Sequence, residues 1–147
     1  IKKGQTLLGI DPGSVAIGVA ISDPGLSIAS PLTTITHTKF SVDAAVLVKI
    51  IKERNVGGIV IGLPKNMDGS EGASAQSART FAHNLMTKAN LPDPAMPIVF
   101  WDERLSSAAV ERFMIEDNMS RKRRDATIDK AAAAYILQGA LDGLGQV

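Results

Sequence analysis

Gly58-Ile59-Val60-Ile61-Gly62-Leu63 is an uninterrupted apolar run, and it narrows the fold more than any other feature of the chain. A strand wetted on one side alternates polar and apolar residues. This one does not alternate, so both of its faces must be covered. Strands buried in that way pair in parallel, with helices packed above and below the sheet. The flanking segments fit. Upstream, Ser41 is placed to cap an apolar helix through Val42, Ala45, Val48 and Ile51 to about Arg54, ended by Asn55-Val56-Gly57. Downstream, a glycine-bearing loop from Pro64 to Gly72 leads into a helix with apolar residues at Ala75, Ala78, Phe81, Ala82 and Leu85. Pro92, Pro94 and Pro97 then link it to a further apolar strand, Ile98 to Trp101.

The start of the chain has a different rhythm. Leu7-Leu8-Gly9-Ile10 reads as a buried strand, stopped by Asp11-Pro12-Gly13. Ile17 to Ser22 alternates large and small residues, and Asp23-Pro24-Gly25 is a turn, so the chain folds back as an antiparallel hairpin. The returning segment, Ile28 to Ile35, carries Pro31 and is expected at a sheet edge. After the fifth strand, Ser106 or Ser107 caps a helix to about Asp117, and a basic turn leads into a last helix from about Asp125 to Leu141. The predicted order is β-β-β-α-β-α-β-α-α. A hairpin-led, five-stranded mixed sheet completed by right-handed βαβ crossovers is the RNase H-like α/β arrangement, which sets the first and fourth strands side by side.

The bulk numbers exclude several classes. A length of 147 residues predicts one domain over 1–147. Hydrophobic residues at 45% and charged residues at 21% describe an ordinary soluble chain. No apolar run approaches a membrane span, so no membrane partner is expected. The absence of cysteine fits a reducing, cytoplasmic setting. His37 and His83 share no ligand spacing, which argues against zinc. The net charge of +1 does not by itself announce nucleic acid, but Arg121-Lys122-Arg123-Arg124 gathers four cations into one patch.

Three acids carry the chemistry. Asp11 sits at the carboxyl end of a strand, where open α/β sheets collect ligands. Asp102-Glu103-Arg104 follows another strand end. Asp129 opens an alanine-rich helix and shares a face with Ala132, Ala133, Ile136 and Ala140, which should carry it toward the sheet. A carboxylate buried alone is costly unless it is paired or metal-bound. Converging carboxylates suit a hard divalent cation, Mg²⁺ or Mn²⁺, with sites left for water and a phosphate oxygen. A metal-dependent nuclease is the expected activity. Strand alternation sends Asp102 and Glu103 to opposite faces without saying which one faces Asp11.

Four blocks occur in order: Gly9-Ile10-Asp11-Pro12-Gly13, Gly62 to Gly69 (GLPKNMDG), Trp101-Asp102-Glu103-Arg104-Leu105-Ser106, and Ile128-Asp129-Lys130-Ala131-Ala132. Together they resemble the bacterial YqgF/RuvX family of RNase H-like proteins, described as Holliday-junction resolvase-like or as pre-16S rRNA nucleases. The resemblance spans essentially the whole chain. It implies a divalent-metal nuclease that trims the 5′ end of precursor 16S rRNA, with Asp11, Glu103 and Asp129 as catalytic metal ligands. Glu103 carries the family's usual assignment and has the longer reach, leaving Asp102 to hold its loop or pair with Arg104.

The remaining polar residues are expected to bind substrate. Lys65 and Asn66 lie on a loop of nine residues, longer than the usual βα connection of about two to six. They can touch phosphate, while Gly69 and Gly72 permit close backbone approach. Arg104 contacts the scissile phosphate or pairs with Asp102. Arg121, Lys122, Arg123 and Arg124 are a backbone-binding patch or a solvated turn. Few aromatics are available for stacking, so recognition should rest on shape and phosphate. Precursor rRNA is the expected partner, and branched DNA is the alternative. A junction resolvase needs a symmetric dimer to cut twice, whereas RNA trimming leaves monomer or homodimer open. A non-catalytic binding module is a third possibility, against which the three intact acids argue.

Overall fold

The structure, a computed structural model, describes residues 3–13, 16–65, 68–102 and 121–145, with side chains in the last helix described from 131 to 143. Strands β1 (Thr6–Pro12), β2 (Ala16–Ser22) and β3 (Ala29–Thr36) precede helix α1 (Phe40–Glu53). Strand β4 (Val56–Leu63), helix α2 (Ala73–Lys88), strand β5 (Ile98–Asp102) and helix α3 (Arg121–Gly145) follow. The sheet order is β3-β2-β1-β4-β5, so β1 and β4 are neighbours as expected. β1–β2 and β2–β3 are antiparallel, while β1–β4 and β4–β5 are parallel. Pro31 does stand on an edge strand, where its missing donor costs least.

Every residue of β4 is buried, which is what its unbroken apolar run required. Side chains on one sheet face, including Leu8, Ile10, Val19, Ile59 and Ile61, pack with Leu47 and Ile51 of α1 and Leu85 of α2. On the other face Leu7, Ala20 and Val60 pack against Ala133, Ile136, Leu137 and Leu141 of α3. Fully burying each large aliphatic side chain contributes about 1.5–3 kcal/mol. The alanines of α3 let its backbone come close to the strands. Gln138 ties the helix to the start of β3: its Oε1 accepts from Ala29 N–H at 2.9 Å, and its Nε2 donates to the Ser27 carbonyl at 2.9 Å.

Four expectations need correction. β1 does not stop before Asp11 but runs through Pro12, with Asp11 opposite Gly18 and Pro12 opposite Ile17. Proline at a strand's last residue removes only a terminal donor, so pairing survives it. Ser41 is not the cap of α1; the N-cap is Lys39, without a side-chain bond. The buried face of α1 is Asp43, Ala44, Leu47 and Ile51, whereas Val42 is 45% exposed. Asp43 holds that register by accepting from Thr38 N–H and Oγ1 at 3.3 Å each, so an acid takes a place a hydrophobic pattern would not give it. Lastly, Arg121, Lys122, Arg123 and Arg124 form the first turn of α3 instead of a preceding turn. The helix predicted from Ser106 or Ser107 to Asp117 lies outside the described residues.

Candidate active site

Alternation along β1 places Leu7, Gly9 and Asp11 on the α3 face and Leu8 and Ile10 on the α1–α2 face. Asp11 is half-buried at the carboxyl end of the strand. Its cross-strand partner is Gly18, and on the other side the β1–β4 register continues from Ile10–Ile61 to set it beside Gly62. Two residues without side chains therefore flank the carboxylate and leave space around it. Among the described residues nothing hydrogen-bonds to that carboxylate. Trp101, paired with Gly62, stands in the same row and packs into the α3 core.

The course of α3 bears on Asp129. A Cβ added to Gly9 would come within 2.8 Å of Leu137 Cβ and 2.9 Å of the Ala133 carbonyl oxygen, so α3 rests directly on β1 there. Leu7, two residues earlier on the same face, lines a cavity of about 690 Å³ together with Ala140 and Gly143. Helix numbers thus fall as β1 runs toward Asp11. One strand repeat advances about 6.6 Å and one helical turn about 5.4 Å, so position 129, one turn before Ala133, lies on the side of Asp11.

β5 fixes the face of Asp102. Ile98 and Phe100 pack on the α1–α2 side and Trp101 on the α3 side. Alternation then sends Asp102, paired with Leu63, to the α2 side, opposite the face of Asp11. Glu103 and Arg104 lie outside the described residues, as does Asn66. Of Asp129 and of Arg121, Lys122, Arg123 and Arg124 only the helical backbone is described. Among the described residues no three acids, histidines or cysteines form a metal-holding group.

The loop after β4 is braced. Glu71 accepts from Arg79 Nε at 2.6 Å and Nη2 at 2.8 Å, and the Arg79 guanidinium lies 5.0 Å over the Phe100 ring. The paired guanidinium holds the Glu71 carboxyl below its ordinary value, with Lys65 adding a smaller attraction, and Arg79 is pushed up in turn. Gly69 has φ +89°, which favours glycine at that turn. Lys65 is half-buried at the loop's start.

Sequence reasoning missed His37. It follows β3, and its Nδ1 lies 2.5 Å from Oδ2 of Asp43, an acid only 1% exposed. His37 and Asp11 open onto the same cleft, about 580 Å³ in volume, with Ser74 and Ser77 of α2 on its wall. The only signal in the sequence was an acid early in a helix, six residues after a histidine, and that spacing is common at helix starts.

A family model for RuvX, described as Holliday junction resolvase, matches residues 5–143. A protein of Rhodospirillum centenum named "Putative pre-16S rRNA nuclease" is 55% identical over 146 residues, covering 99% of this chain and 78% of its own. One of the same name from Roseobacter denitrificans is 56% identical over 138 residues, covering 94% and 83%. Among solved structures, Thermus thermophilus RuvC superposes with a TM-score of 0.54 at 14% identity, covering 97% of each chain. Fowlpox virus resolvase, solved with Holliday junction DNA, gives 0.55 at 8% identity over 95% of this chain and 99% of its own. These two likenesses concern the fold, which is RNase H-like. Among the described residues no helix is long and apolar enough to cross a membrane. Matched along nearly its whole length, the chain belongs to the RuvX family and is a nuclease of RNase H-like fold.

Proposed function

We propose that the chain, working as one domain over residues 1–147, hydrolyses a phosphodiester bond at the 5′ end of precursor 16S rRNA in the cytoplasm, with Asp11, Glu103 and Asp129 as its catalytic acids. The observation that carries this is the position of Asp11: a half-buried carboxylate, flanked by Gly18 and Gly62, at the carboxyl end of β1 and on the face where α3 rests. An acid left without a described partner, with space around it, fits a hard cation that takes oxygen ligands. Mg²⁺ or Mn²⁺ held by Asp11, Glu103 and Asp129 would supply Lewis acidity toward a phosphate oxygen and a more acidic water. The face assignment of Asp102 supports Glu103 as the second acid. Lys65, Asn66, Arg104 and the cations Arg121, Lys122, Arg123 and Arg124 bind the substrate backbone through phosphate, which favours recognition by shape over base identity.

The names of the relatives favour RNA, while four-way DNA is the substrate named for the family and for the resolvases of similar fold. The test uses purified protein, a precursor 16S rRNA fragment and a four-way DNA junction, each with Mn²⁺ and with EDTA. Cleavage of the RNA that stops with EDTA, and stops in Asp11→Asn while the variant stays folded, is the expected result. Cleavage that survives chelation, or full activity in Asp11→Asn, overturns the site. Cutting of the junction alone replaces RNA by DNA as the substrate.

A further inference from the structure

The loop after β4 brings one acid within reach of two cations. Lys65 follows Leu63, the last residue of β4, and β4 runs parallel to β1, so Lys65 leaves the sheet at the same end as Asp11. Glu71 stands at the other end of the loop, just before the Gly72 N-cap of α2. Arg79 projects from α2 itself. An acid and a lysine on one short loop would ordinarily pair with each other. Here the acid is already taken.

Both Glu71 oxygens accept from Arg79, Oε1 from Nε at 2.6 Å and Oε2 from Nη2 at 2.8 Å. Two parallel bonds to a planar guanidinium fix the plane of the carboxylate as well as its position. The guanidinium is itself seated, 5.0 Å over the Phe100 ring. That ring is placed by the pairing of Phe100 with Ile61 and by packing against Leu63, Ala75 and Ala78. Lys65 exerts a weaker attraction on the same carboxylate, second to the bonds from Arg79. Among the described residues no acid forms an ion pair with Lys65. The Arg79 and Glu71 side chains are 44% and 23% exposed, and pairs this open to water add little stability. The consequence of this pair lies in the cation it leaves over.

We infer that Arg79 is a positioning residue: by holding Glu71 it keeps that carboxylate from Lys65 and leaves the Lys65 ammonium to a substrate phosphate. The inference rests on the proposed role of Lys65 and deepens it by naming the group that keeps it available. Arg79 touches neither the reacting atoms nor the strand. Without it, Glu71 turns to Lys65 and neutralises the phosphate contact.

The test measures binding of a precursor 16S rRNA fragment by fluorescence anisotropy over a range of salt, together with KM and kcat for its cleavage. Circular dichroism verifies that each variant is folded. Arg79→Gln should weaken binding about three- to tenfold, the worth of one contact. Its log–log salt slope should fall by about 0.7–0.9, as in Lys65→Ser, with KM raised and kcat within about twofold of wild type. The double variant Arg79→Gln/Glu71→Gln has the net charge of the wild type and no carboxylate to compete. It should regain wild-type affinity and salt slope within about twofold. A double variant as weak as Arg79→Gln makes Arg79 a direct phosphate contact or a plain brace of the loop, and overturns the inference. Arg79→Gln that binds like wild type, or that lowers kcat with KM unchanged, overturns it too. Lys65→Ser that binds like wild type refutes the proposed role of Lys65 and the inference with it. A wild type that shows the rescue yet cleaves no RNA refutes the proposed activity and leaves the role of Arg79 standing.

Discussion

Replacing Gly9 by alanine tests how closely α3 is set against β1. The new Cβ would lie 2.8 Å from Leu137 Cβ and 2.9 Å from the Ala133 carbonyl oxygen. Neither obstacle is the far end of a flexible side chain, so the helix itself must move. Ordinary contact begins near 3.4 Å, which requires a displacement of about 0.6 Å. Overpacking of this kind costs about 1–3 kcal/mol, offset by about 0.4–1 kcal/mol from a stiffer unfolded chain. The net loss should be about 1–2 kcal/mol, a fall in Tm of about 3–6 °C for a chain this size. Activity should suffer more than stability. Misplacing catalytic groups by about 1 Å can cost about 100-fold, so the shift of α3, with Asp129, relative to Asp11 should lower turnover about tenfold. Urea unfolding followed by circular dichroism gives the first quantity, and cleavage of the precursor RNA at saturating Mn²⁺, well below Tm, gives the second. A stability within about 0.3 kcal/mol of wild type, with full turnover, would refute the close approach of α3 to β1.

Further predictions concern the second acid, the Trp101 contact and the first hairpin. Glu103→Gln should lower turnover by at least about 100-fold, or about 2.7 kcal/mol of transition-state stabilisation, while Asp102→Asn retains most activity; a dead Asp102→Asn beside an active Glu103→Gln would reverse the assignment. Gly143→Ala has room, its new Cβ lying 3.9 Å from the Trp101 ring, and should stabilise α3 by up to about 1 kcal/mol. Gly139→Ala meets the same ring at 2.9–3.0 Å and should destabilise; equal melting temperatures for the two variants would contradict the packing. Asp23 accepts from Ile28 and Ser27 N–H, and these bonds hold its carboxyl below 3.8. A depressed folded value gives stabilisation that is complete above 3.8 and fades as pH falls through the lower value. The stability difference between wild type and Asp23→Ala should therefore be constant from pH 7 to 5 and shrink on acidification, and a difference that grows below pH 4 would contradict it.

Much of this protein was legible from local pattern. The unbroken run at Gly58–Leu63 required a doubly covered parallel strand because backbone pairing and water exclusion leave no other solution, and β4 is that strand. Pro31 marked an edge because proline lacks a ladder donor. The position of Asp11 at a strand's carboxyl end followed from the same run-and-stop logic, although the strand extends through Pro12. Periodicity, however, describes one element at a time. Which face Asp102 occupies depended on how β5 registers with β4 and on which residues pack against each side. The buried face of α1 was misjudged because Asp43 is kept inside by His37 and Thr38, and a polar residue satisfied by partners outside its own helix leaves no hydrophobic signature. The cleft shared by His37 and Asp11 has the same origin. Its walls come from the ends of β1 and β3 and the first turns of α2, segments far apart in sequence that only the order of strands in the sheet brings together.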